Sequence, residues 1–358
     1  MNQPSPSGPS PAGDRDPNWT EKQLPPVKPP TTGLLMQLFF VPMIIVSIIV
    51  AVWLMFGWLA QSSTNPKQLV DNLKKLNKGS WQDAHSLSNL LRDPREAELR
   101  QDRELAATLA ETLEGILGDK TLEVNPERHR LATWLCRALG QFEVDEGLDT
   151  LLGAVEHQDF EIRRAAVAGI STLAGGLEGD IGESSDKLVP KLRTIALERP
   201  DTNTREEEME YGEMRSSLAY ALGVIGGSDS LDALSLMLSD PYPEARYNAA
   251  TGLARNGDLR AVPRLEEMLQ IENEEAIRYE EESATLRTWK QNLVIVNGLR
   301  AVQELYSAHP KQSIAEGIVD AVTKLEESKV LQSTDASKFI LDSVVRMVGD
   351  RKSQATSD

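Results

Sequence analysis

The stretch that decides the fold is MRSSLAYALGVIGGSDSLDALSLML, residues 214–238. At an offset of 31 residues it aligns with ARYNAATGLARNGDLRAVPRLEEML, residues 245–269, so that Arg215 corresponds to Arg246. Each copy contains a helical apolar stripe, a turn with glycine and a second helical stripe. A unit of this length cannot bury its apolar face alone, so copies must stack on one another. We therefore predict an all-α fold, an α-solenoid of stacked antiparallel helix pairs.

The composition of the 358-residue chain agrees with stacked helices. Hydrophobic residues make up 40% of the chain but aromatic residues only 5%, whereas strands of sandwiches and barrels favour aromatic and β-branched residues. The single cysteine, Cys136, excludes an intramolecular disulfide. Because it lies between Leu135 and Ala138 in a predicted helix, we interpret it as a buried structural thiol.

Residues 34–60 contain no charged residue over 27 positions. As a helix they would extend about 40 Å, against a hydrocarbon core of about 30 Å. We predict a transmembrane helix here, with its regular part beginning near Pro42 and with Trp53 and Trp58 at the headgroup level. Residues 58–60 are a poor cleavage site, so we expect a single uncleaved anchor rather than a signal peptide.

Basic residues near this span do not decide its orientation, because three precede it and four follow it. The side of the membrane that carries the solenoid therefore stays open. Residues 1–33 hold nine of the nineteen prolines and are predicted to form a disordered tail. Its run of prolines at residues 25–30 is either a flexible spacer or a docking ligand for an aromatic groove.

Residues 61–80 are predicted to form a juxtamembrane helix that begins at Pro66. It either lies on anionic headgroups or caps the first repeat. The solenoid is predicted over residues 81–350 and is clearest over residues 126–270. Residues 175–186 and 199–212 break the period and are expected to form loops on one face. A long polar helix and three apolar stripes are expected beyond Ile271, and residues 351–358 are expected to be frayed.

The repeats resemble the HEAT-repeat family, in particular the short HEAT-like repeats of the phycocyanobilin-lyase type. The residues that carry this resemblance are Asp240-Pro241, Ala245-Arg246, Ala249-Ala250, Leu253-Ala254, Gly257-Asp258 and Ala261-Val262-Pro263-Arg264-Leu265. The resemblance is strong over residues 126–270 and implies a right-handed stack with a concave surface that binds partners.

Several polar positions recur in register and favour a structural ladder between repeats over a ligand site. Aspartates at the starts of helices are expected to act as N-caps, and arginines are expected to bond carbonyls or an adjacent aspartate. The predicted ladder consists of Asp159, Arg163, Arg215, Asp240 and Arg246. Left-handed backbone is expected at the glycines that end helices, which are Gly226, Gly227 and Gly257.

Negative charge is concentrated between residues 199 and 283, where nineteen residues are acidic and eight are basic. Two interpretations are open: solvated helix faces that keep the solenoid soluble, or a surface for a basic partner protein. Nucleic acid has the wrong charge for such a surface. The candidate partner-binding residues are Glu206, Glu207, Glu208, Glu210, Glu274 and Glu275.

Catalytic patterns are scarce in the sequence. The four histidines have no i,i+4 partner, and no cysteine pair could hold zinc. A HEAT-like hydroxylase family binds iron through His-Glu dipeptides, and this chain has no such dipeptide. We therefore predict no catalytic residue, no cofactor and no metal.

The predicted function is that of a membrane-anchored, non-enzymatic scaffold or adaptor that binds a partner protein. Two alternatives come from other classes. Since bilin lyases share the repeat type, the chain could be a lyase-type enzyme or enzyme subunit that handles a tetrapyrrole-like cofactor. It could also be a structural envelope component that associates with itself.

Overall fold

The computed structural model describes most of the chain after the proline-rich tail. The described residues are 32–60, 66–119, 122, 125–177, 185–279, 283–328, 330–331 and 335–355. The predicted disorder of residues 1–33 therefore lies almost wholly outside the described residues. The chain divides into two compact units, residues 1–63 and residues 64–358, and each is treated by itself.

The described residues form sixteen α-helices and no strand. The helices are α1 (Thr32–Ala60), α2 (Pro66–Leu73), α3 (Ser80–Leu91), α4 (Ala97–Arg100), α5 (Arg103–Leu117), α6 (Pro126–Leu139), α7 (Leu148–Val155), α8 (Phe160–Gly176), α9 (Ser185–Leu197), α10 (Arg205–Ile225), α11 (Ser228–Met237), α12 (Pro243–Arg255), α13 (Val262–Met268), α14 (Ala284–Ala308), α15 (Glu316–Ser328) and α16 (Asp335–Ala355).

Helices α3 to α16 form the predicted solenoid of stacked helix pairs. A first row consists of α3, α6, α8, α10, α12, α14 and α16, and each helix in it contacts the next. A second row is interleaved with the first: α7 contacts α6 and α8, α11 contacts α10 and α12, and α13 contacts α12 and α14. This arrangement buries the apolar stripe of every unit against its neighbours, which is why the 31-residue repeat predicts the architecture.

First-row helices approach closely where glycines face each other. A methyl group on Gly223 of α10 would lie 2.5 Å from the Cα atom of Gly252 on α12, a distance that only glycine allows. The turns after α10 and α12 also require glycine, because Gly226 and Gly257 have φ angles of 69° and 72°. Gly227, the third predicted position, has a φ angle of 79°.

Helix α1 is the first unit's only described element. Its segment Met36–Met55 has a mean hydropathy of 2.8, and none of it is buried within the protein. It is the one helix among the described residues that is long and apolar enough to cross a membrane. The expectation that the regular helix begins near Pro42 is wrong, because α1 begins at Thr32 and continues through Pro42. Proline removes a single backbone donor, and the helix continues past it over a total of 29 residues.

Helix α2 lies within the second unit and packs against α3. Its Leu69, Val70 and Leu73 are buried, as a cap on the first repeat requires. At the other end of the solenoid, residues 351–355 are helical rather than frayed. Arg351 donates hydrogen bonds to the carbonyls of His309 at 2.9 Å and Gln312 at 2.6 Å.

One expectation about an irregular segment is also wrong, and the structure differs from another only in part. Residues 205–212, expected in a loop, form the first two turns of α10. The long helix expected beyond Ile271 does not follow directly, because residues 275–277 form a 3-10 turn. It begins at Ala284 as the 25-residue α14, which also contains the expected apolar stripe of residues 293–305. Of the other expected loop, residues 175–176 and 185–186 are helical, and residues 178–184 lie outside the described part.

Candidate functional site

The acidic residues 206–208 occupy the first turn of α10. The Thr204 side chain caps this helix by accepting a hydrogen bond from the backbone N–H of Glu207 at 3.1 Å. The Glu207 carboxylate in turn accepts from the backbone N–H of Asn203 at 2.7 Å. This reciprocal arrangement resembles a capping box, and carboxylates near a helix N-terminus are stabilised by the helix dipole. It explains why the sequence continues as helix here instead of forming a loop.

A second segment, residues 271–279, lies against this helix start. The Tyr279 hydroxyl donates a hydrogen bond to Glu208 at 2.6 Å, and Arg205 donates to the carbonyl of Arg278 at 3.0 Å. Burial and the neighbouring Glu208 carboxylate raise the pKa of Tyr279 to about 12, so it remains a donor at neutral pH. The Tyr279 ring also lies 5.1 Å from that of Tyr242. These contacts hold the segment with Glu274 and Glu275 against the start of α10. We call the six predicted glutamates on these two segments, Glu206, Glu207, Glu208, Glu210, Glu274 and Glu275, the acidic surface.

The six predicted carboxylates have different surroundings on this surface. Glu207 and Glu208 make the hydrogen bonds just described, and Glu275 pairs with Arg246 at 3.1 Å. No hydrogen bond or ion pair within the described chain engages the side chains of the other three, which are Glu206, Glu210 and Glu274. We call these three the open carboxylates. Glu206 and Glu274 are exposed, and Glu210 is half-buried.

A buried ion cluster lies behind this surface. Arg215 donates to both oxygens of the Asp240 carboxylate, at 2.8 and 3.1 Å, and Arg199 lies 2.8 Å from the same carboxylate. The Asp240 side chain is 0% exposed. Asp240 does not act as the N-cap of α12, because Pro243 begins that helix and Tyr242 is its N-cap. Instead, its Oδ1 accepts the backbone N–H of Tyr242 at 2.9 Å.

Arg246 extends the ladder from this cluster toward the acidic surface. It donates to the carbonyls of Asp240 at 2.8 Å and Pro241 at 3.2 Å, and it reaches Glu275 and Glu267. Burial acts to raise the pKa of Glu267, but hydrogen bonds from Arg264 and Tyr247 and the charge of Arg246 together lower it. The segment that carries Glu274 and Glu275 is thus held by a polar network, in addition to the packing of Ile271, Ala276 and Tyr279 against the core.

Asn273, which lies within residues 271–279, belongs to the same polar network. Its buried amide donates to the carbonyl of Glu267 at 3.0 Å and accepts from the backbone N–H of Ala276 at 3.2 Å. It also contacts the Tyr247 hydroxyl at 3.0 Å. Asn273 could not be recognised as a site residue from the sequence, because nothing in the repeat period marks it.

Asp159 and Arg163 occupy the earlier ladder positions. Asp159 caps α8 by accepting the backbone N–H of Ile162 at 3.1 Å, and it also contacts His129 at 2.9 Å. Arg163 reaches no aspartate among the described residues; its guanidinium lies 5.7 Å from the Phe160 ring.

Sequence reasoning missed His129 as a ladder residue. His129 is the fourth residue of α6, just as Arg163 is the fourth of α8 and Arg246 the fourth of α12. Counting from the helix start would have placed it in register with the arginines. Its contact with Asp159 joins two successive repeats in the way that Arg215 and Asp240 do.

The single cysteine and two of the four histidines have structural surroundings or contacts. Cys136 is completely buried, and this burial raises the pKa of its thiol to about 12. His309 bonds the carbonyl of Gly257 at 2.6 Å, and His157 accepts the backbone N–H of Asp159 at 3.0 Å. Across the described ranges, no group of three or more His, Cys, Asp and Glu side chains could hold a metal ion.

Three solved structures with a similar arrangement are distant in sequence. A chain in the complex of CpcE and CpcF of phycocyanin lyase from Nostoc sp. is 16% identical, with coverage of 80% of this chain and 95% of that chain and a TM-score of 0.41. Human deoxyhypusine hydroxylase is 16% identical, with coverage of 80% and 98% and a TM-score of 0.30. An engineered protein is 15% identical, with coverage of 80% and 97% and a TM-score of 0.37. Scores this low carry no conclusion about function.

The sequence was also compared with curated proteins and with protein-family models. A search of curated proteins gave no match. The family model described as HEAT repeats matches residues 207–284, which run from the first turn of α10 to the start of α14. These residues include the aligned copies 214–238 and 245–269 as well as the acidic surface. Residues 207–284 of this chain are therefore similar to HEAT repeats.

Proposed function

We propose that this protein is a membrane-anchored, non-enzymatic scaffold that binds a basic partner protein through its acidic surface. The observation that carries the proposal is the convergence of two acidic segments through the contact between Tyr279 and Glu208 at 2.6 Å. The open carboxylates on this surface have no partner within the described chain. They can accept hydrogen bonds from lysine or arginine side chains of another protein without breaking an existing pair.

The negative net charge of the chain supports the proposal that the partner protein is basic. The chain has a net charge of −17, and an uneven field of this sign steers a basic protein toward the surface. Because the attraction is between solvent-exposed charges, binding is expected to weaken as the salt concentration rises. The polar network behind the surface keeps the carboxylates in place before binding, which lowers the entropic cost of association.

The membrane anchor in this proposal is α1. At 29 residues it extends about 43 Å, enough to cross a hydrocarbon core of about 30 Å. A protein with this anchor stays in the membrane pellet after an alkaline carbonate wash, and its intact mass includes residues 1–33. Release by carbonate, or a mass that lacks the N-terminal residues, would contradict the anchor.

The test of partner binding uses a charge-removal variant and a matched control. In the first variant the open carboxylates are replaced by glutamine (Glu206→Gln, Glu210→Gln, Glu274→Gln). The control removes the same number of charges from exposed positions on α5 (Glu104→Gln, Glu111→Gln, Glu114→Gln). Each full-length protein carries a C-terminal affinity tag and is crosslinked in intact cells of the native host, and captured proteins are quantified by mass spectrometry.

The proposal expects one basic protein to be captured by the original chain and by the control, and to be lost with the first variant. Capture that is equal in all three proteins contradicts the acidic surface as the binding site. Capture of this chain alone would instead favour a self-associating envelope component. A pigment retained through purification would favour an enzyme that handles a cofactor.

A further inference from the structure

A groove lies between α10, α12 and α14, formed by side chains that the acidic surface does not use. Its volume is about 340 Å³. Asn248, Arg255, Leu293, Asn297 and Arg300 are among the residues that line it. A groove of this volume lies at the lower end of the range of ligand sites and can hold a few side chains of a bound segment.

One wall of the groove continues into an exposed apolar stripe on α14. Leu286, Trp289 and Leu293 are 46%, 60% and 39% exposed, and their i, i+3, i+7 spacing places them on one face of the helix. Tyr220, which is 40% exposed, lines the groove from α10. The second unit has eight exposed large hydrophobic side chains among its described residues, and half of them lie here. A cluster of this kind on a soluble surface marks an interaction site.

The charge of this region is opposite to that of the whole chain. Arg255 and Arg300 line the groove, and Arg287 lies on the exposed part of α14; none of the three forms an ion pair among the described residues. The Arg255 guanidinium stacks 5.7 Å from the Tyr220 ring. Of the acidic groups nearby, Glu244 lies 2.7 Å from Lys290, and Glu304 is exposed. Among the described residues the unpaired charges of this region are therefore three basic groups against one acidic group, Glu304, and the excess positive charge favours an outside anion.

Polar groups in the groove suit a peptide backbone. Asn248 is held in place by hydrogen bonds to the carbonyl and hydroxyl of Ser216, at 3.0 and 2.9 Å. The half-buried amide of Asn297 makes no hydrogen bond within the described residues, so it can donate to and accept from a passing main chain. Backbone pairing, apolar anchors and basic groups in one groove are what an acidic peptide with bulky apolar residues requires.

We propose that this groove binds an acidic peptide segment of a partner protein, with an apolar side chain seated against Leu293 and Trp289. Carboxylates of the peptide pair with Arg255 and Arg300. The groove would then be a second docking surface, with a charge preference opposite to that of the open carboxylates. This inference does not depend on the proposed function, because it uses none of the same side chains.

The test measures fluorescence anisotropy of three synthetic peptides with the full chain in zwitterionic nanodiscs. The peptides share two leucine anchors and carry glutamate, glutamine or lysine at the polar positions. We expect the glutamate peptide to bind, and its affinity to fall about tenfold or more with Trp289→Ala and with the pair Arg255→Glu and Arg300→Glu. Trp289 is mostly exposed, so its replacement leaves the fold intact; circular dichroism checks this.

The matched control is the pair Lys187→Glu and Lys191→Glu on α9, which changes the net charge by the same amount. This control keeps the affinity of the original chain if the groove is the site, and so does the variant that lacks the open carboxylates. Equal binding of the glutamine or lysine peptide overturns the proposal, as does an equal loss in the Lys187 and Lys191 control. Binding of anionic vesicles in place of any peptide, lost with Trp289→Ala, would overturn it in favour of a lipid surface.

Discussion

Arg215 and Asp240 form a bidentate ion pair, with distances of 2.8 and 3.1 Å, inside the contact between α10 and α12. Asp240 is buried, and it serves both repeats at once because it also accepts the backbone N–H of Tyr242. Paired arginine and carboxylate groups of this geometry are the strong ones among protein ion pairs. The pair therefore joins α10 of one repeat to the turn that precedes α12 in the next repeat.

Replacing Arg215 by methionine is expected to lower the free energy of unfolding by about 3 kcal/mol. The Asp240 carboxylate would keep Arg199 and the Tyr242 N–H but lose both of its hydrogen bonds to Arg215. Urea unfolding followed by circular dichroism measures the effect. The control is Arg164→Met, which removes partly exposed ion pairs with Glu161 and Glu213 and should change stability by less than about 1 kcal/mol. Similar losses in both variants would show that the buried pair has no special role.

Gly223→Ala is expected to destabilise the solenoid by about 1–3 kcal/mol. The added methyl group would lie 2.5 Å from the Cα atom of Gly252, so α10 and α12 must move apart. Gly153 is the matched control, because it also lies inside a helix but a methyl group there meets no atom within 4 Å. Gly153→Ala should raise stability by about 0.5–1 kcal/mol, since alanine favours the helix. Thermal unfolding of the two variants separates these outcomes, and a stabilising Gly223→Ala would contradict the close helix contact.

Stability is expected to fall as the solution becomes acidic. Burial acts to raise the pKa of Asp159, but hydrogen bonds from His129 and from the backbone N–H of Ile162 together lower it below its ordinary value. The pKa of Glu267 is also lowered. For a carboxylate with a lowered folded pKa, the stabilisation is present above the unfolded value of about 4 and is lost as the pH falls through the folded value.

Urea unfolding at a series of pH values from about 7 to about 3 tests this dependence. The Asp159→Asn variant should be less stable near neutral pH and should lose less stability on acidification than the original chain. A pH dependence that is unchanged by Asp159→Asn would show that this carboxylate has no lowered pKa in the folded state.

Cys136 is expected to be inert in the folded protein. Burial raises the pKa of its thiol to about 12, so the reactive thiolate is scarce near neutral pH. A thiol reagent such as iodoacetamide should label Cys136 only after unfolding in urea, with labelling followed by intact mass. Rapid labelling under native conditions would contradict the burial and would reopen a chemical role for this thiol.

The sequence period was sufficient to predict the stacked helix pairs within residues 126–270, because apolar stripes and glycine turns report local geometry directly. Gly226 and Gly257 are examples, since their positive φ angles follow from their place at helix ends. The period could not predict that residues 205–212 are helical. Acidic residues between repeats are typical of a loop, and here the cap at Thr204 and the contacts of the first turn with Tyr279 favour a helix instead.

The supporting network of the candidate site was only partly predictable. The pairing of Arg215 with Asp240 follows from register, whereas the contact of Tyr279 with Glu208 joins residues 71 positions apart. Contacts of that kind depend on where a loop returns to the stack, and no periodic pattern encodes them. His129 is an intermediate case. Its position in the helix could be recognised as equivalent to that of the arginines, but the residue itself is a histidine.

The hydrogen bond between Tyr279 and Glu208 also restricts how the number of repeats can change during evolution. Units of a solenoid can ordinarily be duplicated or deleted one at a time, since each contacts only its neighbours. Here the acidic surface is made from the start of one unit and the end of the next, so inserting a unit between them would move its halves apart. Residues 205–279 are therefore expected to be inherited as one block, while repeats outside this block are free to vary in number.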